Sequence, residues 1–163
     1  MKLYRISSAK YLKNMKGMGA SYQDGARWNR PGQPVIYFAL SPAVAMLEMA
    51  NYISSPRLVP KNYRLGIYEV PDNISKLEIP KRKLPDNWFE FPYPITTQTL
   101  GGNWLEKGEE LMLLVPSVAV SGGLEKIAII NPLHAECRQI KLVDSTVTIY
   151  NERMFDGISS GRA

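Results

Sequence analysis

The chain has 163 residues, 45% hydrophobic and 21% charged, which gives one globular domain with a sizeable core and excludes wholesale disorder. One cysteine, Cys137, and one histidine, His134, exclude an internal disulfide, a CxxC redox pair, a multi-thiolate zinc site and HExxH metalloprotease chemistry. The formal net charge of +5 is local, because seven basic residues against Asp24 make residues 1–30 +6 and leave the remainder at −1.

In chain order, residues 2–6 read as a first strand, and residues 7–34 as a long Gly-, Lys- and Asn-rich loop of the kind that is usually functional. Residues 35–39 form a buried strand. Ser41 then supplies an N-cap hydroxyl and Pro42 a first helical position, predicting a helix to about Ile53. Residues 64–70 alternate as a strand, and 76–79 read as another. The proline-rich stretch 80–94 is irregular, and Thr96 or Thr97 caps a short helix bearing Trp104, weakened by Gly101 and Gly102. Residues 111–115 form a buried strand whose path 118–120 continue, and 127–130 form the next. Residues 139–143 and 146–150 close the sheet. The fold class is α+β, sheet-dominated with few short helices, in a single domain over 1–155 with a flexible tail at 156–163. No apolar run approaches the roughly 18 residues of a membrane span and no signal-like stretch follows the N-terminus, so the expected location is the cytoplasm.

One carboxylate stands out. Between Arg30 and Arg57, Glu48 is the single charge in 26 residues. At about 100° per residue, Glu48 and Asn51 share one flank of a helix that is otherwise apolar nearly all round. Such a helix is expected to be largely buried, and a buried carboxylate needs a partner or a chemical task. Its alternatives are a solvent edge or an ion pair with an arginine. Other chemistries fall away: Gly17-Met18-Gly19 fails the dinucleotide fingerprint because Tyr22 stands where the third glycine belongs, and no GK[ST] exists. His134 is the one imidazole for any triad, and it reads more readily as structural. What remains is a site of arginine, tyrosine, glutamate, serine and asparagine, suited to an anionic ligand with an aromatic ring and a hydroxylated sugar. The basic N-terminal segment is then either a solvated face or an electrostatic funnel for an anion. A nucleic-acid-binding module is disfavoured, since aromatic residues are not interleaved regularly with the basic ones.

Gly25-Ala26-Arg27-Trp28-Asn29, Gly32-Gln33-Pro34-Val35-Ile36-Tyr37, Ser41-Pro42, Leu47-Glu48, Val115-Pro116-Ser117 and Ile130-Asn131-Pro132-Leu133-His134 occur in an order that resembles the RES-domain family. The resemblance runs from about Tyr4 to Leu142, with departures at Ala26, Phe38-Ala39 and Lys126. It implies the toxin of a RES–Xre toxin–antitoxin module, with an ADP-ribosyltransferase-like fold: a split, mostly antiparallel β core around an NAD+ cleft. It also implies growth arrest by NAD+ degradation, with mono-ADP-ribosylation of a protein as the alternative. NAD+ is then a substrate, no cofactor is tightly bound and no metal is needed. The expected partner is an Xre-family antitoxin, in a complex that can be oligomeric. Carried over by position, Arg27, Tyr37 and Glu48 match the family's cleft residues, while Arg5, Ser117 and Asn131 match further positions.

The chemistry of these side chains fits that assignment. Arg27 or Arg5 would grip phosphate oxygens bidentately. Tyr37 offers a ring face and a hydroxyl to nicotinamide or its ribose, and Trp28, although more suited to loop packing, is a second aromatic candidate. Glu48 would stabilise an oxocarbenium-like transition state. Nicotinamide leaves as a neutral molecule, so no general acid is required.

Overall fold

A computed structural model describes residues 1–53, 58–147 and 150. Seven strands, β1 (Lys2–Ser8), β2 (Ile36–Ala39), β3 (Tyr63–Glu69), β4 (Lys76–Glu78), β5 (Met112–Pro116), β6 (Lys126–Ile130) and β7 (Lys141–Thr146), form one sheet in the order β4-β5-β6-β2-β1-β3-β7. Every neighbouring pair is antiparallel except β4 and β5. The sheet is nearly divided in the middle. β1 joins β3 through seven register pairs and β2 joins β6 through four, yet β1 meets β2 at one pair, Tyr4↔Ala39.

Strand alternation sorts the apolar side chains onto two faces. On β2 and β6, Ala39, Ile127 and Ile129 pack with Trp28, Val44, Trp88 and Trp104, and Tyr37 leans on the same cluster. Ile36, Phe38, Ala128 and Ile130 pack on the other face with Leu3, Tyr68, Met112 and Ile140.

Among the described residues three α-helices accompany the sheet: α1 (Ala20–Asp24), α2 (Pro42–Ala50) and α3 (Ile95–Lys107). The 7–34 stretch is thus less bare than expected, since β1 extends to Ser8 and both a 3-10 turn (Ala9–Tyr11) and α1 fall within it. At α2 the Ser41 hydroxyl accepts the Val44 N–H at 3.2 Å and Pro42 takes the first helical position. Replacing Ser41 with alanine is expected to cost about 1 kcal/mol, read as a lower urea midpoint at unchanged slope.

Several expectations are corrected. α2 ends at Ala50 rather than near Ile53, and only Val44 and Ala45 are buried along it, with Leu47 46% exposed. The helix lies across β1 and β2 with one flank only, so its apolar composition overstates its burial. α3 is a full 13 residues, because its glycines are a docking face: a Cβ on Gly101 would lie 2.1 Å from the Trp28 carbonyl oxygen. Its N-cap position is Pro94, and Thr97 instead donates from the first turn to the Pro94 carbonyl at 2.8 Å. Residues 118–120 do not continue β5, since the backbone turns after Pro116. The first closing strand is β7, from Lys141 to Thr146, and Gln139 belongs to a 3-10 turn; the second, expected over 146–150, lies partly outside the described residues. The 156–163 tail lies outside the described residues.

Candidate active site

The turn after β5 and the helix after β2 bring Ser117 against Glu48. Ser117 is fully buried, its Oγ accepts the Ala119 N–H at 3.2 Å, and its hydroxyl donates to Glu48 Oε1 at 2.6 Å. One carboxylate oxygen is therefore held. The other, Oε2, has no hydrogen-bond partner among the described residues, so α2 presents it as an open acceptor. The singular charge in the apolar helix thus has a serine as its partner. No ion pair within 4.0 Å joins Glu48 to an arginine among the described residues.

Arg27 enters from the turn before β2. It is 8% exposed, and its Nη1 donates to the carbonyls of Trp88 at 2.5 Å and Glu90 at 2.9 Å. Tyr93 places its ring 5.1 Å from the guanidinium carbon. The opposite edge, Nε and Nη2, has no partner among the described residues. It reaches solvent, since Trp28 Nε1 is the single buried side-chain N or O atom there without one. Burial lowers the Arg27 pKa, and Tyr93 and the Glu48 charge act in the opposite direction, which puts the carboxylate within electrostatic reach.

Tyr37 closes the group, but with its ring. Its hydroxyl donates to Asn29 Oδ1 at 2.8 Å and accepts the Trp28 N–H at 3.2 Å, so it is committed to the 28–29 turn. Burial pushes its pKa above the ordinary phenol range, so it stays protonated. What it has left for a ligand is the partly exposed ring.

Arg27, Tyr37, Glu48 and Ser117 come together; the other nominated residues go elsewhere. Trp28 is fully buried in the core, which leaves no open ring face for stacking. Arg5 shares a strand face with Leu3, beside Tyr68 on the other side of the sheet, and its Nη1 reaches the Asn14 carbonyl at 3.4 Å. Asn131 follows the far end of β6, about 16 Å along the strand from the Ser117 end. There its side chain holds Leu105 O and the Leu133 N–H as a turn brace. His134 likewise caps a 3-10 turn by accepting the Glu136 N–H.

The basic N-terminal segment is dispersed by the fold. Arg27 is in the site, Arg30 pairs with Glu106 of α3 at 2.6 Å, and Arg5 is on the opposite face, so it forms no single funnel. Among the described residues no three His, Cys, Asp or Glu side chains group to hold a metal.

Sequence reasoning missed Tyr52 and Tyr93, whose hydroxyls meet at 3.2 Å beside Arg27. Tyr52, one helical turn past Glu48, was findable from spacing alone. Tyr93, in an irregular stretch 66 positions past Arg27, carries no local signal.

The model of the RES domain matches residues 2–150. The chain belongs to the RES domain family. Its RES relatives include "Toxin Res" of Yersinia enterocolitica, 38% identical over 135 residues, covering 82% of this chain and 86% of that protein. The "Prs ADP-ribosylating toxin" of Sphingobium sp. is 33% identical over 144 residues and covers 86% of each. Among solved structures, a chain of the M. tuberculosis MbcT–MbcA toxin–antitoxin complex superposes with a TM-score of 0.69 at 21% identity, covering 89% of this chain and 82% of that one. The RES fold here is therefore α+β and ADP-ribosyltransferase-like, as the motif order implied, and the Tyr4↔Ala39 junction is where its β core splits.

Proposed function

We propose that this RES protein is the toxin of a toxin–antitoxin module, and that it consumes NAD+ by cleaving the nicotinamide–ribose bond. The observation that carries this reading is Glu48, with one oxygen anchored by Ser117 and the other open, set in the field of Arg27, which Tyr37 also flanks. The C1′–N bond breaks with its electron pair going to the nicotinamide nitrogen, which leaves neutral. The cationic ribose is stabilised by the carboxylate, whose open oxygen also suits a ribose hydroxyl. Water then adds at C1′ and loses a proton, giving ADP-ribose; phosphate in its place gives the phosphorylated product. The unpartnered edge of Arg27 suits the diphosphate. Its other edge is engaged with the 88–90 backbone, so its grip is one-sided.

The second reading keeps the same bond cleavage and sends ADP-ribose to a protein side chain. It is favoured by the Sphingobium relative, whose name specifies ADP-ribosylation. The expected inhibitor is an Xre-family antitoxin, and the superposed toxin–antitoxin complex supports a protein partner of that kind. No helix among the described residues is long and apolar enough to cross a membrane.

The test is chromatographic assay of nicotinamide released from NAD+ by the purified protein without antitoxin, with and without added phosphate. Release is expected, and its absence overturns the proposal. Labelled NAD+ in a bacterial lysate separates the two readings, because only transfer leaves a discrete labelled band.

Ser117→Ala removes the one hydrogen bond that the described residues give the Glu48 carboxylate. A bond to an ionised group is worth ~1.5–3 kcal/mol. The variant is therefore expected to lose at least about tenfold in kcat, with KM little changed, as a carboxylate loses its orientation but not its charge.

A further inference from the structure

The open edge of Arg27 has company. Tyr52 lies four residues past Glu48, just beyond the end of α2, and Tyr93 belongs to the segment whose carbonyls hold Arg27. Their hydroxyls meet at 3.2 Å, so two phenols span from the wall that carries Glu48 to the wall that carries Arg27. Tyr93 is fixed on its own side, with its ring over the guanidinium at 5.1 Å and against the edge of Phe91 at 5.3 Å. Tyr52 is 70% exposed. A neutral hydroxyl pair in contact with water is a weak link that a charged ligand can replace.

The distribution of donors and acceptors has a direction. The two phenols hold two O–H hydrogens and use one between them, while Nε and Nη2 of Arg27 add unpartnered N–H groups. The Tyr52 phenol, like any tyrosine near neutral pH, is protonated, so its hydroxyl remains a donor. Across from these donors the free acceptor is Glu48 Oε2. A ligand with an anionic diphosphate next to a ribose diol matches that polarity.

We propose that Tyr52 and Tyr93 are substrate-binding residues that part from each other and, with the open edge of Arg27, cradle the diphosphate of NAD+. The proposal rests on the NAD+ reading of the Glu48 site and extends it to two residues that the RES motifs do not include. No covalent step is involved: one tyrosine–tyrosine hydrogen bond is exchanged for hydroxyl–phosphate bonds.

Calorimetric titration of ADP-ribose and, separately, of nicotinamide into wild type, Tyr52→Phe and Tyr93→Phe tests it, alongside NAD+ kinetics. Each substitution removes one oxygen and keeps the ring, and thermal melts check that the fold is retained. The expected result is ADP-ribose binding about tenfold weaker in Tyr52→Phe, an equal rise in KM for NAD+, kcat within about twofold, and nicotinamide binding unchanged. ADP-ribose binding equal to wild type in both variants overturns the cradle, as does failure of wild type to bind ADP-ribose, or an equal loss for nicotinamide. Weaker ADP-ribose binding in the variants without nicotinamide release by wild type upholds the cradle and removes the NAD+-cleaving reading instead.

Discussion

Glu48→Gln is expected to lower nicotinamide release from NAD+ by a factor of ~10²–10³ while leaving the fold and its melting temperature close to wild type. The substitution keeps the side-chain shape, and the amide oxygen can still accept the Ser117 hydroxyl that now binds Oε1 at 2.6 Å. What disappears is the negative charge opposite the developing ribose cation. Glutamine also places an amide N–H or a neutral oxygen where the open carboxylate oxygen faced the ligand, so the ribose hydroxyl loses its ionic acceptor. NAD+ binding is expected to survive, because the proposed diphosphate contacts fall to Arg27, Tyr52 and Tyr93. A kcat loss at near-constant KM is the signature of an interaction made chiefly in the transition state. Nicotinamide release at the wild-type rate from Glu48→Gln would remove Glu48 from the chemistry.

Gly101→Ala is expected to destabilise the fold by about 3 kcal/mol, against the ~1 kcal/mol gain that alanine normally brings to a helix interior. The new Cβ would sit 2.1 Å from the Trp28 carbonyl oxygen, 2.8 Å from its carbonyl carbon and 3.0 Å from its Cα. All three are backbone atoms, so no rotamer change relieves the contact, and α3 or the 25–30 turn must move. That turn carries Arg27 and the N–H that fixes Tyr37, so activity is expected to fall with stability. Gly102→Ala is the control. Its Cβ would meet the side-chain ends of Gln33 and Arg30, at 2.8 and 2.9 Å, which can swing aside. A lower urea midpoint for Gly101→Ala than for Gly102→Ala is the expected outcome. Equal midpoints would show that α3 does not dock through its glycines.

The residues that proved legible in the sequence are those whose role is set by near neighbours. Ser41-Pro42 announces the start of α2 because capping chemistry is local, and Glu48 announces itself by being charged in an apolar helix. The strand cores 36–39, 112–116 and 126–130 follow from short β-branched and aliphatic runs. Long-range geometry was not legible. That Arg5 and Arg27 end on different faces follows from one strand's pleat and one turn's placement, and their shared positive charge gave no sign of it. Asn131 and Ser117 both follow sheet strands, but β5 and β6 run antiparallel, so they finish at opposite ends. The glycines in α3 read as weakness when seen alone and as fit once Trp28 is in place. The pairing of Tyr52 with Tyr93 joins residues 41 positions apart, beyond the reach of any local pattern.

The single Tyr4↔Ala39 pairing gives the molecule a mechanical seam. Strain introduced in β3 or β7 reaches Tyr37 and Glu48 through one backbone pair and through side chains, with Ile6 and Leu65 in the cluster that holds Val44 and Tyr150 donating to the Met46 carbonyl of α2, not along a continuous ladder. A label or an anchor for surface attachment placed at the Lys141 end of β7, the end away from Tyr150, should leave turnover as it was, whereas the same alteration on β2 or β6 falls within the working half.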